Sequence, residues 1–355
     1  MKFIHSYIVS FFAFALIFST INTQNAKAQD PHFSQNYATP IFINPAMAGL
    51  MNGDLRVAAV YRNQWSSLMP SVPFRTMTAS AETSVQGLSY NDRVAFGLMI
   101  YNDKAGDVAF TTNYVDLAVA YNMAINPTTF VSLGVEGGFK QTGFDLEKAQ
   151  FEDQYNGDTG FDPTISTSES FDKTSLIRPN LAAGFMFYTA PSTRQNFYAG
   201  MGMYHFTRSN VALLGDEPDK YNAKISAQIG ASLPIGTAMD IVPSFYYIKQ
   251  GTYNKMELGS FFRFIFSTDR HTQLDKAFNL GAFVRAGNHL DGFGLNTVVL
   301  ATKIDYNEFT LGLSYDLTMG SLATANAGRG GAEIALIYTT QLRPNKREPL
   351  YCPRF

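Results

Sequence analysis

The sequence predicts an all-β chain: a closed, antiparallel transmembrane β-barrel of about 14 strands, preceded by a signal peptide and a short N-terminal segment. Three observations predict it. From Leu55 onward, apolar and polar residues alternate with period two, in segments punctuated by Gly, Asn, Asp and Pro. After residue 28 no run of about twenty apolar residues occurs, the length a membrane helix requires. The 355 residues are only 16% charged but 14% aromatic, with 30 Phe and 19 Tyr, at a mean hydropathy of −0.07. Globular chains are about a quarter charged; low charge without excess hydrophobicity suits strands with one apolar and one polar face. The net charge of −2 leaves no basic footprint for nucleic acid.

Taken in order, the chain begins with Lys2 and His5, an apolar run from Tyr7 to Phe18, and Ala26-Lys27-Ala28. This reads as a signal peptide over residues 1–28, the apolar run being too short to span a bilayer. An N-terminal segment over 29–54 follows, then a barrel over 55–342 and a tail over 343–355 expected to be periplasmic. Strand segments are expected to begin near Leu55, Phe74, Arg93, Thr112, Thr129, Arg178, Asn196, Asn222, Met239, Asn254, Ala277, Leu295, Phe309 and Gly331. In the first, Leu55, Val57, Ala59 and Tyr61 oppose Arg56 and Arg62; in the tenth, Met256, Leu258, Phe262, Phe264 and Phe266 oppose Glu257, Gly259 and Arg263. An even count closes a bacterial barrel, whose outward connections should be the longer ones. The longest connection, the acidic stretch 141–177, then falls on the extracellular side. Two connections depart from that parity: a short one at Gln250 to Tyr253 and a longer one at Ser267 to Lys276.

A magnitude assigns the faces. A Lys or Arg facing lipid at the midplane costs about 2–4 kcal/mol. Arg56, Arg263, Arg285 and Lys303 together would cost about 8–16 kcal/mol, comparable to a protein's net stability. They are therefore expected in the lumen, in a charge network with Asp116, Glu136, Glu257, Asp305, Asp316 and Glu333 as partners. Such a network either fills the barrel or lines a socket for part of another chain; patterning does not choose.

Chemistry-bearing motifs are missing from the sequence. His32, His205, His271 and His289 fall in separate segments without ligand spacing, so no metal site is expected. No G-x-S-x-G, H-E-x-x-H or P-loop occurs, and no catalytic residue or cofactor is expected. Gly328-Arg329-Gly330-Gly331 lacks the Lys-Ser/Thr of a phosphate loop and reads as a flexible surface loop. From Gly143 to Asp172, eight acidic residues including Asp145, Glu147, Glu152 and Asp153 face Lys148 alone. Without EF-hand spacing this reads as a solvated acidic loop, and as a surface that docks or gates a secreted partner. The lone Cys352 excludes an internal disulfide.

Gln29-Asp30-Pro31-His32-Phe33-Ser34-Gln35, then Pro40-Ile41-Phe42-Ile43-Asn44-Pro45-Ala46-Met47-Ala48-Gly49, then Arg62-Asn63-Gln64-Trp65, and the ending Tyr351-Cys352-Pro353-Arg354-Phe355, resemble the PorP/SprF family of type IX secretion. The resemblance spans the mature chain, with its specific motifs in the first forty mature residues and the tail. It implies a non-enzymatic barrel in the outer membrane of a Gram-negative bacterium, supporting export or surface anchoring of a secreted adhesin used in gliding. The implied partners are a secreted type IX cargo or adhesin C-terminal domain, other type IX components, and the lipid bilayer with its lipopolysaccharide. On this resemblance Gln35, Asn44, Pro45, Arg62, Trp65 and Cys352 are the motif residues and partner-binding candidates. Gln35, Asn44, Pro45 and Trp65 would shape the N-terminal segment and the first outward turn, Asn44-Pro45 as a turn initiator and Trp65 as an aromatic anchor at a strand end. The rival function is a passive channel or transporter for small or hydrophobic solutes.

Overall fold

A computed structural model of the chain describes residues 30, 32–69, 72–89, 91–157, 160–162, 164–169, 171, 173–192, 194–211, 220–268, 275–289 and 292–340. The expected signal peptide (1–28), the tail (343–355) and Cys352 lie outside the described residues. The described residues from His32 to Thr340 form one compact unit.

Alternating residues in fourteen segments build fourteen strands: β1 (Leu55–Gln64), β2 (Phe74–Gln86), β3 (Arg93–Ala105), β4 (Phe110–Asn126), β5 (Thr129–Gly143), β6 (Ser175–Thr189), β7 (Asn196–Tyr204), β8 (Lys224–Pro234), β9 (Met239–Gln250), β10 (Tyr253–Thr268), β11 (Asp275–His289), β12 (Gly292–Tyr306), β13 (Phe309–Thr318) and β14 (Arg329–Thr340). Each pairs antiparallel with its sequence neighbours, and β1 pairs with β14, so the sheet closes on itself. Seven strands begin at the residue the pattern marks, and the rest begin within three residues of it. The shortest strand has 9 residues and the longest 17; about 9–11 tilted residues cross a bilayer.

Closure puts connections from odd to even strands at one end, the distal rim, and the others at the proximal rim where β1 begins. The longest connections, 144–174 and 205–223, are distal, as is 319–328 with its short helix Ser321–Asn326. Pro127-Thr128 and Asn307-Glu308 are tight proximal turns. The parity exception at Gln250 to Tyr253 is a two-residue distal turn, Gly251-Thr252, in which Gly251 takes φ +60°. One expectation is corrected. Arg329, Gly330 and Gly331 open β14 instead of forming a flexible loop, because the backbone there pairs with Asp316 and Leu317 of β13.

Outward and inward faces separate by charge. Leu258, Phe262, Leu300, Leu313 and Leu336 point out and stay exposed, while Glu257, Arg263, Asp316 and Glu333 point in and are buried. The core lies inside the barrel. Phe33, Tyr37 and Phe42 pack with wall residues such as Val60, Tyr101, Phe261 and Phe283, and Ile43, Met47 and Leu50 with Phe130, Met186 and Tyr198.

Candidate functional site

The lumen is filled by the chain's own N-terminal segment. Every residue from Phe33 to Met51 is buried, and none of them is charged. Prolines set its course: Pro40 opens a short helix, Pro40–Ile43, and Pro45 opens a single tight turn, Pro45–Met47. A fixed φ and a missing N–H suit proline to a first helical position. Between them Asn44 caps the second turn, its Oδ1 accepting the Ala46 N–H at 2.9 Å while its Nδ2 donates to the Phe185 carbonyl at 2.9 Å. Asn44 and Pro45 therefore shape the segment from within the barrel. Wall glycines let it in. A Cβ at Gly134 would collide with the Pro45–Ala46 backbone, and one at Gly312 with the Gln35 amide and the Tyr37 hydroxyl.

A polar socket holds the distal part of this plug. The two carboxylate oxygens of Glu333 accept the N–H groups of Ser34 and Gln35 at 2.8 and 2.7 Å, and Gln35 Nε2 donates to the Glu333 carbonyl at 3.0 Å. The Ser34 hydroxyl donates to Asp316 at 2.7 Å and accepts from Arg62 at 2.6 Å and Arg285 at 2.8 Å. Arg62 also reaches Asp316 and Glu333, and Arg285 reaches Glu257 and Asp316, all within 3.1 Å. Asn36 Nδ2 donates to Glu257 at 2.6 Å. The Tyr37 hydroxyl donates to Gln35 at 2.6 Å.

The other luminal charges form three further groups. Arg56 grips Glu82 at 2.8 Å, and Glu82 accepts the Gly49 N–H at 3.0 Å. Arg263 lies 3.4 Å from Asp240 and 3.6 Å from Asp305, and Lys303 sits 4.7 Å from the centre of the Tyr37 ring. Asp116 accepts from Asn180 at 3.0 Å, which in turn meets His205 at 2.8 Å. Glu136 lies mid-strand in β5, buried, with no hydrogen-bond donor for either carboxylate oxygen among the described residues. Glu82, Asp240 and Lys255 belong to this lining and were not singled out from sequence. Their inward parity within β2, β9 and β10 is the signal that could have found them.

At the distal rim Trp65 ends β1 with φ +59°, its N–H on the Gly330 carbonyl at 2.9 Å and its ring 4.9 Å from Phe74. The acidic connection between β5 and β6 is more than a solvated loop. Phe171 packs against Phe144 and Phe151, with ring centroids 5.2 and 5.7 Å away, and Tyr155 meets Phe161 at 5.7 Å. The Asp153 carboxylate accepts the Ser168 N–H at 2.6 Å and the Thr167 hydroxyl at 2.9 Å, and these donors hold its pKa below the ordinary carboxylate value. Asp145 pairs with Lys148 at 2.8 Å. Tyr155 and Phe161 remain largely exposed. No group of three or more His, Cys, Asp or Glu residues that could hold a metal is present among the described residues.

Comparison with known proteins identifies the family. Residues 25–338 match the family described as "Type IX secretion system membrane protein PorP/SprF". The chain belongs to the PorP/SprF family. As a PorP/SprF barrel with an apolar outer face it resides in the outer membrane as a component of type IX secretion. Similar solved structures include the Ralstonia pickettii toluene transporter TbuX (TM-score 0.44, 11% identity, 86% of this chain and 94% of that one). Another is a bacterial polysaccharide outer membrane secretin (TM-score 0.41, 8% identity, 82% of this chain and 100% of that one). No curated protein matches the chain. Of the motif residues within the described PorP/SprF chain, Gln35, Asn44, Pro45 and Arg62 sit inside the barrel at the plug and Trp65 at the distal rim.

Proposed function

We propose that this PorP/SprF chain is a non-enzymatic holder, supporting export or surface anchoring of a specific secreted, adhesin-like protein that engages it from the distal rim. The plugged lumen carries the reading. Barrels of about sixteen to eighteen strands leave a channel and those of eight are packed shut, and here Phe33 to Met51 occupy the intermediate space and bind the wall charges. A cargo chain therefore travels beside or across this barrel, not through it. The distal rim is assigned to the outside because its connections 144–174 and 205–223 are the longest. The structured acidic loop there, with Tyr155 and Phe161 exposed, offers an apolar surface within a negative rim.

The rival reading, a passive solute channel, requires a path for solute past the plug. Two measurements on the purified full-length protein separate them: planar-bilayer conductance, and identification of chains that co-purify from detergent-solubilised membranes. The expected outcome is a silent bilayer and co-purification of a secreted adhesin. Steady conductance or solute uptake by the wild-type protein overturns the holder in favour of the channel.

A further inference from the structure

Closing the barrel requires β1 to pair with β14, the strand farthest from it in sequence. β1 sends two arginines into the lumen, and both are used in the same way. Arg62 stands directly opposite Glu333 of β14, and Arg56 directly opposite Glu82 of β2. Each arginine binds the facing carboxylate, at 3.1 and 2.8 Å. Each carboxylate also accepts backbone N–H groups of the plug: Glu333 those of Ser34 and Gln35, Glu82 that of Gly49. The two ends of the plug are thus fastened to the two ion pairs that flank β1.

We infer that the N-terminal plug is a clasp on the β1–β14 seam, so that seating the plug and closing the barrel are one event. Ser34 is the coupling residue. Its hydroxyl uses its full capacity of one donated and two accepted bonds, joining Asp316 of β13, Arg62 of β1 and Arg285 of β11, while its N–H binds Glu333 of β14. With the plug out, Glu333 loses two backbone donors, and Arg62 and Arg285 lose the oxygen between them. A buried ion pair stripped of its additional hydrogen bonds no longer offsets its desolvation, and here that pair spans the seam. Because Asp316 and Glu333 lie on the last two strands, the socket exists only after the C-terminal strands are in place. The plug therefore seats last although it is made first. This role is independent of which cargo the barrel holds.

The test is hydrogen exchange of the full-length protein in lipid nanodiscs, comparing amides of β1 and β14 with those of β6 and β7. Hydrogen bonds to charged groups are strong enough that Ser34→Ala is expected to speed exchange at the seam by about tenfold, with β6 and β7 unchanged. Ser34→Thr, which keeps the hydroxyl, should restore seam protection. Should Ser34→Ala not fold, Gln35→Ala, which removes the amide bond to the Glu333 carbonyl, gives the same reading with a smaller change. Seam exchange equal to wild type, or all strands accelerating together, overturns the clasp: the plug is then simple filler.

Discussion

At the level of single residues, the luminal charges are not equivalent. Arg62 and Arg285 each touch two carboxylates and the Ser34 hydroxyl. Glu136 is as deeply buried, yet no donor meets its oxygens among the described residues, and Ala118 and Ala182 are its paired neighbours on the adjacent strands. Removing one partner of a buried ion pair strands the other and costs about 3–5 kcal/mol, whereas neutralising an unsatisfied buried charge costs little or stabilises. Arg62→Met is therefore expected to lower stability by about 3–5 kcal/mol, and Glu136→Gln to leave it unchanged or raise it. Urea unfolding from lipid vesicles, followed by gel mobility of the folded barrel, measures both. A Glu136→Gln loss as large as that of Arg62→Met would mean that Glu136 is paired after all.

The strands and the plug differ in how far the sequence discloses them. Strand existence was legible because period two and turn residues recur locally: Leu55, Phe74 and Phe309 start strands where the alternation starts. The plug has no such signature. Phe33 to Met51 is uncharged and follows neither strand nor helix period, and the residues that hold it, Glu333, Asp316 and Arg285, lie hundreds of positions away in sequence. Asn44-Pro45 was readable as a turn, but not as a turn inside a barrel. The wall charges were readable as luminal from the cost of exposing them to lipid, but not that a neutral peptide would complete their bonding. Gly134 and Gly312 look like ordinary strand glycines until the plug's backbone is seen against them. Gly134→Val follows from this: its side chain would occupy the place of the Pro45–Ala46 backbone and push the proximal half of the plug away from β5. The expected outcome is ion conductance in planar bilayers where the wild type has none. A folded Gly134→Val barrel that stays silent would mean that the plug can shift without opening the lumen.

For the whole molecule, the distribution of charge sets the orientation of every strand. Among the described strand residues, outward-facing charges occur only near strand ends, at Arg75, Lys104, Lys249, Lys276 and Arg329, while the middle of the outer wall is Leu, Val, Phe, Ile, Met and small residues. Aromatic residues collect at the proximal edge of that wall, where Phe309 and Tyr338 meet with centroids 5.0 Å apart and Tyr306 lies on the same rim; such girdles mark the lipid–water boundary. The apolar belt therefore has a midplane, and outward positions along one strand sample its depth. Leu300 lies near the centre of β12 and Tyr306 at its end, both facing out. An arginine on the lipid face costs about 2–4 kcal/mol at the midplane and about 0–1 kcal/mol near the interface. Leu300→Arg should therefore destabilise the barrel by about 2–4 kcal/mol and Tyr306→Arg by no more than about 1 kcal/mol, read from urea unfolding in vesicles of the same lipid. Equal losses at the two positions would mean that Leu300 does not lie at the centre of the bilayer, and that the strands cross it at another depth.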